Sequence, residues 1–255
     1  MALLDSRNPA LGKAFKENVM SHDKSGVMTV NGTIYKTGLL ALLVLAAATV
    51  TWNLTFRDGN PQVLRLYTGG GAIMGFIMAL VIVFKKTSAP YLAPVYAVCE
   101  GLFLGGVSAM VQGQYEGLVL QAFMLTLAIL FGMLFLYRTG MIKATEKFKR
   151  ILFTAIIGIG IAYFVSFIGG MFGFHLPFLH SNSLMGNSLI GIGISLVIVV
   201  VAALSLVIDF DMIERGAQAN APKYMEWYGA FGLMVTIVWL YFEILRLLVK
   251  IAGRR

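Results

Sequence analysis

Charge is what this sequence lacks most. Only 13% of its 255 residues are Asp, Glu, Lys or Arg, about half the share of a soluble domain. Between Ile151 and Ile208 there is no charged residue at all. Together with 58% hydrophobic residues, this excludes a water-soluble globular chain. The apolar runs are of helix length and do not alternate with polar residues, which argues against an outer-membrane barrel. The one cysteine, Cys99, excludes an internal disulfide framework and a multi-cysteine metal site. The three histidines, His22, His175 and His180, all fall outside the apolar runs. A bis-histidine haem within the bundle and an intramembrane histidine relay are therefore not expected. His175 and His180, without neighbouring carboxylates, make a poor metal site. H-E-x-x-H, G-x-S-x-G and the phosphate-cradling G-x-x-x-x-G-K-[ST] are missing too, so no enzymatic activity is expected. Residues 1–36 are polar and mixed in charge, with no short apolar core ahead of a small-residue cleavage site, unlike a secretory signal.

What the chain has is apolar length. A span needs ~20 apolar residues to cross ~30 Å of hydrocarbon. Seven stretches qualify: Thr37–Phe56, Leu66–Phe84, Ala89–Met110, Gly117–Tyr137, about 151–173, about 188–208 and Trp227–Val249. The expected fold is all-α, a polytopic membrane bundle of seven transmembrane helices at 36–250. A polar N-terminal tail (1–35) precedes it and a basic C-terminal tail (251–255) follows. That N-terminal tail is expected to be solvated, with weak docking of Leu3, Leu4, Leu11 and Phe15 on a membrane surface as the alternative. The net charge of +8 does not point to nucleic acid, because its Lys and Arg lie in short inter-helix loops. They follow the positive-inside rule instead. With the N-terminus cytoplasmic, the inner segments hold 14 of the 20 Lys and Arg, and the outer loops only Arg57 and Arg65. The remaining four, Arg246, Lys250, Arg254 and Arg255, lie in the tail. Seven full spans put that tail outside against the rule, whereas a re-entrant seventh segment would return it inside. Gly71-x-x-x-Gly75, Gly101-x-x-x-Gly105 and Gly169-x-x-x-Gly173 suit close helix packing, here expected within one chain.

The candidate functional residues are the acids placed where acid is costly. Glu100 falls roughly 15 Å into the third span at 1.5 Å per residue. It is either a cation or proton site, or a protonated acid bonded to a neighbouring helix. Asp209 and Asp211 end the sixth span about 200° apart on a helix, so a continuous helix cannot aim both into the bundle. Asp211 can also pair with Arg215 at i, i+4. Glu243 and Arg246 are i, i+3 inside the last span, near its far interface, where they and Trp239, Tyr241 and the Lys250–Arg255 tail fit an interfacial anchor.

Three segments carry a resemblance. Ala97-Val98-Cys99-Glu100-Gly101-Leu102-Phe103-Leu104-Gly105, IDFDMIERGA at 208–217 and WLYFEILRLL at 239–248, with KTGLL (36–40), LAPVYAVCEG (92–101) and APKYMEWYGAFG (221–232), resemble the Bax inhibitor-1 (transmembrane BAX inhibitor motif) superfamily. They are most similar to its bacterial, YccA-type branch, over roughly residues 30–250. The resemblance implies a seven-helix fold with the last helix central, in a bacterial inner membrane. It further implies either a pH-sensitive calcium leak or, as the alternative, a non-conducting adaptor of a membrane quality-control protease. In leak-forming relatives an aspartate ending the sixth helix pairs with one in the seventh, near a basic residue after the second. Asp211 is the best match to the first, and Lys85 or Lys86 would supply the base. The second falls at Thr236, a departure for which Asp209 is the candidate substitute. The expectation is therefore a cation leak, with calcium only in transit. Its acids stand at three depths: Asp211, then Glu100, then Glu243. A proton-coupled transporter is a weaker third reading.

Overall fold

The computed structural model describes residues 26–57, 61–172 and 189–254. The expectations that rest on Leu3, Leu4, Leu11, Phe15, His22, Gly173, His175 and His180 lie outside the described residues. Among the described residues seven helices are long and apolar enough to cross a membrane: α1 Val30–Arg57, α2 Pro61–Phe84, α3 Ala89–Gln114, α4 Leu118–Arg138, α5 Glu146–Met171, α6 Leu189–Gln218 and α7 Met225–Ala252. The bundle is all-α, as the apolar runs require.

Several helices outrun the apolar stretches that announced them, because their polar ends are satisfied rather than helix-breaking. α1 starts seven residues before Thr37. Its Thr33 and Thr37 hydroxyls donate to the carbonyls of Thr29 and Thr33, 3.0 and 2.9 Å away. Such back-bonding removes the cost of a hydroxyl in lipid. α5 begins at Glu146, where the Thr145 side chain caps it by accepting from the Phe148 amide at 3.2 Å, an orphan donor of the first turn. α6 continues through both aspartates to Gln218. It is closed by Asn220 at φ 52°, a left-handed conformation that Asn tolerates better than most residues. α7 runs unbroken for 28 residues, about 42 Å at 1.5 Å per residue. It is therefore long enough to cross in one pass and has no break at which to turn back.

α7 is the central helix and packs against α1, α3, α4 and α6. On one side Phe231, Met234 and Val238 join Leu40, Val44, Tyr96 and Leu104. On another Leu233, Leu240 and Ile244 join Val199, Leu206 and Phe210. Two of the small-residue motifs serve contacts within the chain. A β-carbon on Gly101 would overlap the Val44 carbonyl oxygen and lie 2.7 Å from the Ala47 β-carbon, and one on Gly71 would lie 2.6 Å from the Cys99 carbonyl oxygen. These glycines let α1 and α2 approach α3 backbone to backbone. The outward faces of α2, α4 and α5 carry exposed Ile73, Phe76, Phe84, Leu120, Phe131, Phe135, Ile161 and Phe164, an apolar surface suited to lipid rather than water.

Candidate functional site

The α2–α3, α4–α5 and α6–α7 joints and the start of α1 share one end of the bundle, the basic face, because successive helices reverse direction. The site begins there. The end of α4, the α4–α5 connection and α6 line a cleft of about 500 Å³, with Tyr137, Arg138, Lys143, Asp211, Glu214 and Arg215 among its walls. Asp211 is clamped at its edge. Lys149 of α5 approaches one carboxylate oxygen to 2.7 Å, and Arg215 reaches the same oxygen at 2.8 Å from one turn along α6. The Tyr137 hydroxyl donates to Glu214.

The basic partners of Asp211 are thus Lys149 and Arg215, and this corrects the expected Lys85 or Lys86. Those two lie exposed at the α2–α3 joint, with the Lys86 ammonium 5.3 Å from the centre of the Tyr228 ring. Lys149 was missed because α5 begins before its apolar run and brings a charged first turn beside α6.

Two residues earlier on the continuous helix, Asp209 points the other way, into the α6–α7 interface. Its Oδ2 atom is buried with no hydrogen-bond partner. The polar side chain facing the carboxyl is Thr236 of α7, whose hydroxyl also lies 3.3 Å from the Gly232 carbonyl. Thr236 therefore meets Asp209, and not Asp211. That geometry moves the candidate sixth-helix position from Asp211 to Asp209.

The same two helices meet again further along, where the buried Lys250 ammonium donates to the Ser195 hydroxyl at 2.8 Å and to the Gly191 carbonyl at 3.4 Å. Asp209 to Ser195 and Thr236 to Lys250 are both 14 residues, so the antiparallel pair stays in register for about 21 Å. The 3–4 spacing of Thr236, Trp239, Glu243, Arg246 and Lys250 marks one stripe of α7.

Glu243 in that stripe is buried. Its Oε1 atom accepts from the Tyr163 hydroxyl of α5 at 2.8 Å and from the Trp239 indole at 3.1 Å. Its Oε2 atom lies 3.5 Å from Arg246, which itself donates to Tyr163. Trp239 and Tyr241 are likewise bonded inside, the latter to Ser108 at 2.7 Å. These side chains join α7 to α5 and α3. Lys250, assigned from sequence to the tail, is 1% exposed.

Glu100 sits on α3 against α2, where a β-carbon on Gly75 would lie 3.2 Å from its Oε2 atom. No hydrogen bond or ion pair to Glu100 occurs among the described residues. Tyr96 packs on Phe231 and Ser108 bonds Tyr241, so α3 runs parallel to α7 and Glu100 falls within about one helical turn of Thr236 in depth. Glu100, Asp209 and Asp211 thus lie within about one helical turn of each other in depth, with Glu243 roughly 10 Å further along α7, in place of the expected three-level ladder. Among the described residues no three His, Cys, Asp or Glu gather into a metal site.

The family profile described as Bax inhibitor 1 like matches residues 8–253. The chain belongs to the Bax inhibitor 1 like family. No curated protein and no solved structure matches it. This Bax inhibitor 1 like chain is a multi-pass membrane protein whose acids divide by partner. Asp211 and Glu243 are held by cations, whereas Asp209 and Glu100 face none among the described residues.

Proposed function

We propose that this protein is a passive, pH-sensitive cation leak, with calcium as the transported ion and the basic face cytoplasmic in a bacterial inner membrane. The observation that carries the reading is the Asp209 carboxyl, buried in the α6–α7 interface with one oxygen unpartnered. A buried acceptor without a donor is costly, and acids inside membrane bundles mark ion or proton routes by default. A visiting cation supplies the missing partner. Ions enter at the basic face past Asp211, which Lys149 and Arg215 keep from holding them, and meet Asp209 and Thr236 next. Beyond Glu243 they pass Arg246 and Lys250, and these three side chains together sum to one net positive charge. That barrier suits a slow leak rather than a high-conductance pore. Acid lowers the flux, because protonation removes the negative charge that draws a cation to Asp209 and Glu100.

The test is calcium entry into liposomes holding purified protein, across a pH series. Flux that falls on acidification and is lost in Asp209→Asn supports the leak. Absence of flux at every pH refutes it and leaves the non-conducting adaptor, tested by co-purification with a membrane protease in mild detergent.

A further inference from the structure

Residues 26–29 lie ahead of the first helix and are bound across the α6–α7 connection. The Met28 amide donates to the Ala221 carbonyl at 2.7 Å and the Lys223 amide to the Gly26 carbonyl at 3.0 Å, forming an antiparallel bridge between Val27 and Pro222. The next residue is locked by charge. Glu226, fully buried in the first turn of α7, accepts from the Thr29 amide at 2.9 Å and the Thr29 hydroxyl at 2.8 Å. Lys36 reaches its other oxygen, and Lys223 lies 3.1 Å from the first. A β-carbon on Gly32 would overlap this carboxylate, so α1 needs glycine there.

Between bridge and lock, Met28 is inserted into a notch at the ends of α6 and α7. Its sulfur would lie 2.9 Å from a β-carbon on Gly216, and its methyl 3.5 Å from one on Gly229. Met28 is 4% exposed, and a void of only about 20 Å³ remains around it, lined by Met212, Ile213, Gly216, Met225, Tyr228 and Gly229. Ile213, one helical turn beyond Asp209, also touches this notch, with Gly229 facing it. Met28 therefore stands at the basic-face end of the seam that holds Asp209 and Thr236.

We propose that residues 26–29 form an autoinhibitory strap, with Met28 stoppering the α6–α7 seam and Glu226 holding the strap down. Ions and water reach Asp209 when the strap lifts. This inference rests on the leak reading for its consequence, but seam access can be measured without any flux. Four donors at Glu226 and a filled apolar notch exceed what a chain entry alone requires. A single bonded cap would start α1.

Two measurements test it in a Cys99→Ser background. The first is the rate at which a charged thiosulfonate modifies a Thr236→Cys thiol. Met28→Ala and, separately, Glu226→Gln should each raise that rate about tenfold or more, in proportion to the lifted population. Rates equal to those of the unaltered strap in both variants overturn the proposal.

The second closes the strap covalently with Val27→Cys and Pro222→Cys. Facing residues of an antiparallel pair lie about 4.5–5.5 Å apart at Cα, within disulfide reach. Oxidation should suppress calcium flux about tenfold, and a reductant should restore it. A measurable flux that is equal in the two redox states overturns the strap as a stopper. If thiol access rises but no variant conducts, the strap stands and the leak reading fails.

Discussion

Replacing Asp209 by Asn should make this protein more stable and less active at once. The carboxyl is buried, faces the Thr236 side chain and leaves Oδ2 without a donor. A buried ion without full compensation costs several kcal/mol even after relaxation. A neutral amide keeps the shape and the carbonyl oxygen. It introduces an N–H group in place of the unpartnered oxygen, a penalty of roughly 1–3 kcal/mol. The difference favours Asn by about 1–3 kcal/mol. At about 2–4 °C per kcal/mol for a chain of this size, the melting temperature in detergent should rise by several degrees. Flux should move oppositely. A unit charge about 4 Å from a cation is worth ~4 kcal/mol at an effective dielectric of ~20. Even a third of that retained in the rate-limiting barrier gives about a tenfold loss. Scanning calorimetry and liposome calcium entry on the same preparation read both numbers. A lower melting temperature would refute the reasoning, because it would mean that the carboxylate is paid for by a structural partner. Unchanged flux would place the ion route elsewhere.

Three further outcomes follow from the packing. Gly101→Ala forces α1 from α3 and should cost about 1–3 kcal/mol by overpacking. Gly132→Ala, with nothing within 4 Å of its β-carbon, should gain up to ~1 kcal/mol from helix propensity; thermal unfolding ranks the two. Glu243→Gln removes the charge facing Arg246 and should destabilise by about 1–3 kcal/mol, less than a fully buried pair because Arg246 is partly exposed, while shifting Trp239 fluorescence. Lys149→Met combined with Arg215→Met frees Asp211 at the cleft and should raise calcium flux roughly two- to tenfold by concentrating cations there; a fall would assign the pair to holding α5 on α6.

Glu100 and Asp209 were visible as costly because an uncharged run exposes any acid within it, whatever the fold. Their partners were not visible. Lys149 lies 62 residues from Asp211 and Tyr163 lies 80 from Glu243, and no local period links them.

The sequence by itself determined seven apolar helices, because a bilayer requires ~20 apolar residues per crossing and every backbone group satisfied within the segment. It also determined which end of the bundle is basic and that α6 separates its two aspartates by about 200°. Only the tertiary structure decided which aspartate faces α7, that Glu243 and Lys250 are buried, and that Met28 fills the notch between α6 and α7. Those outcomes depend on how each helix is rotated and where neighbouring helices meet it. Contacts between residues distant in the chain set that rotation, and hydropathy does not record it.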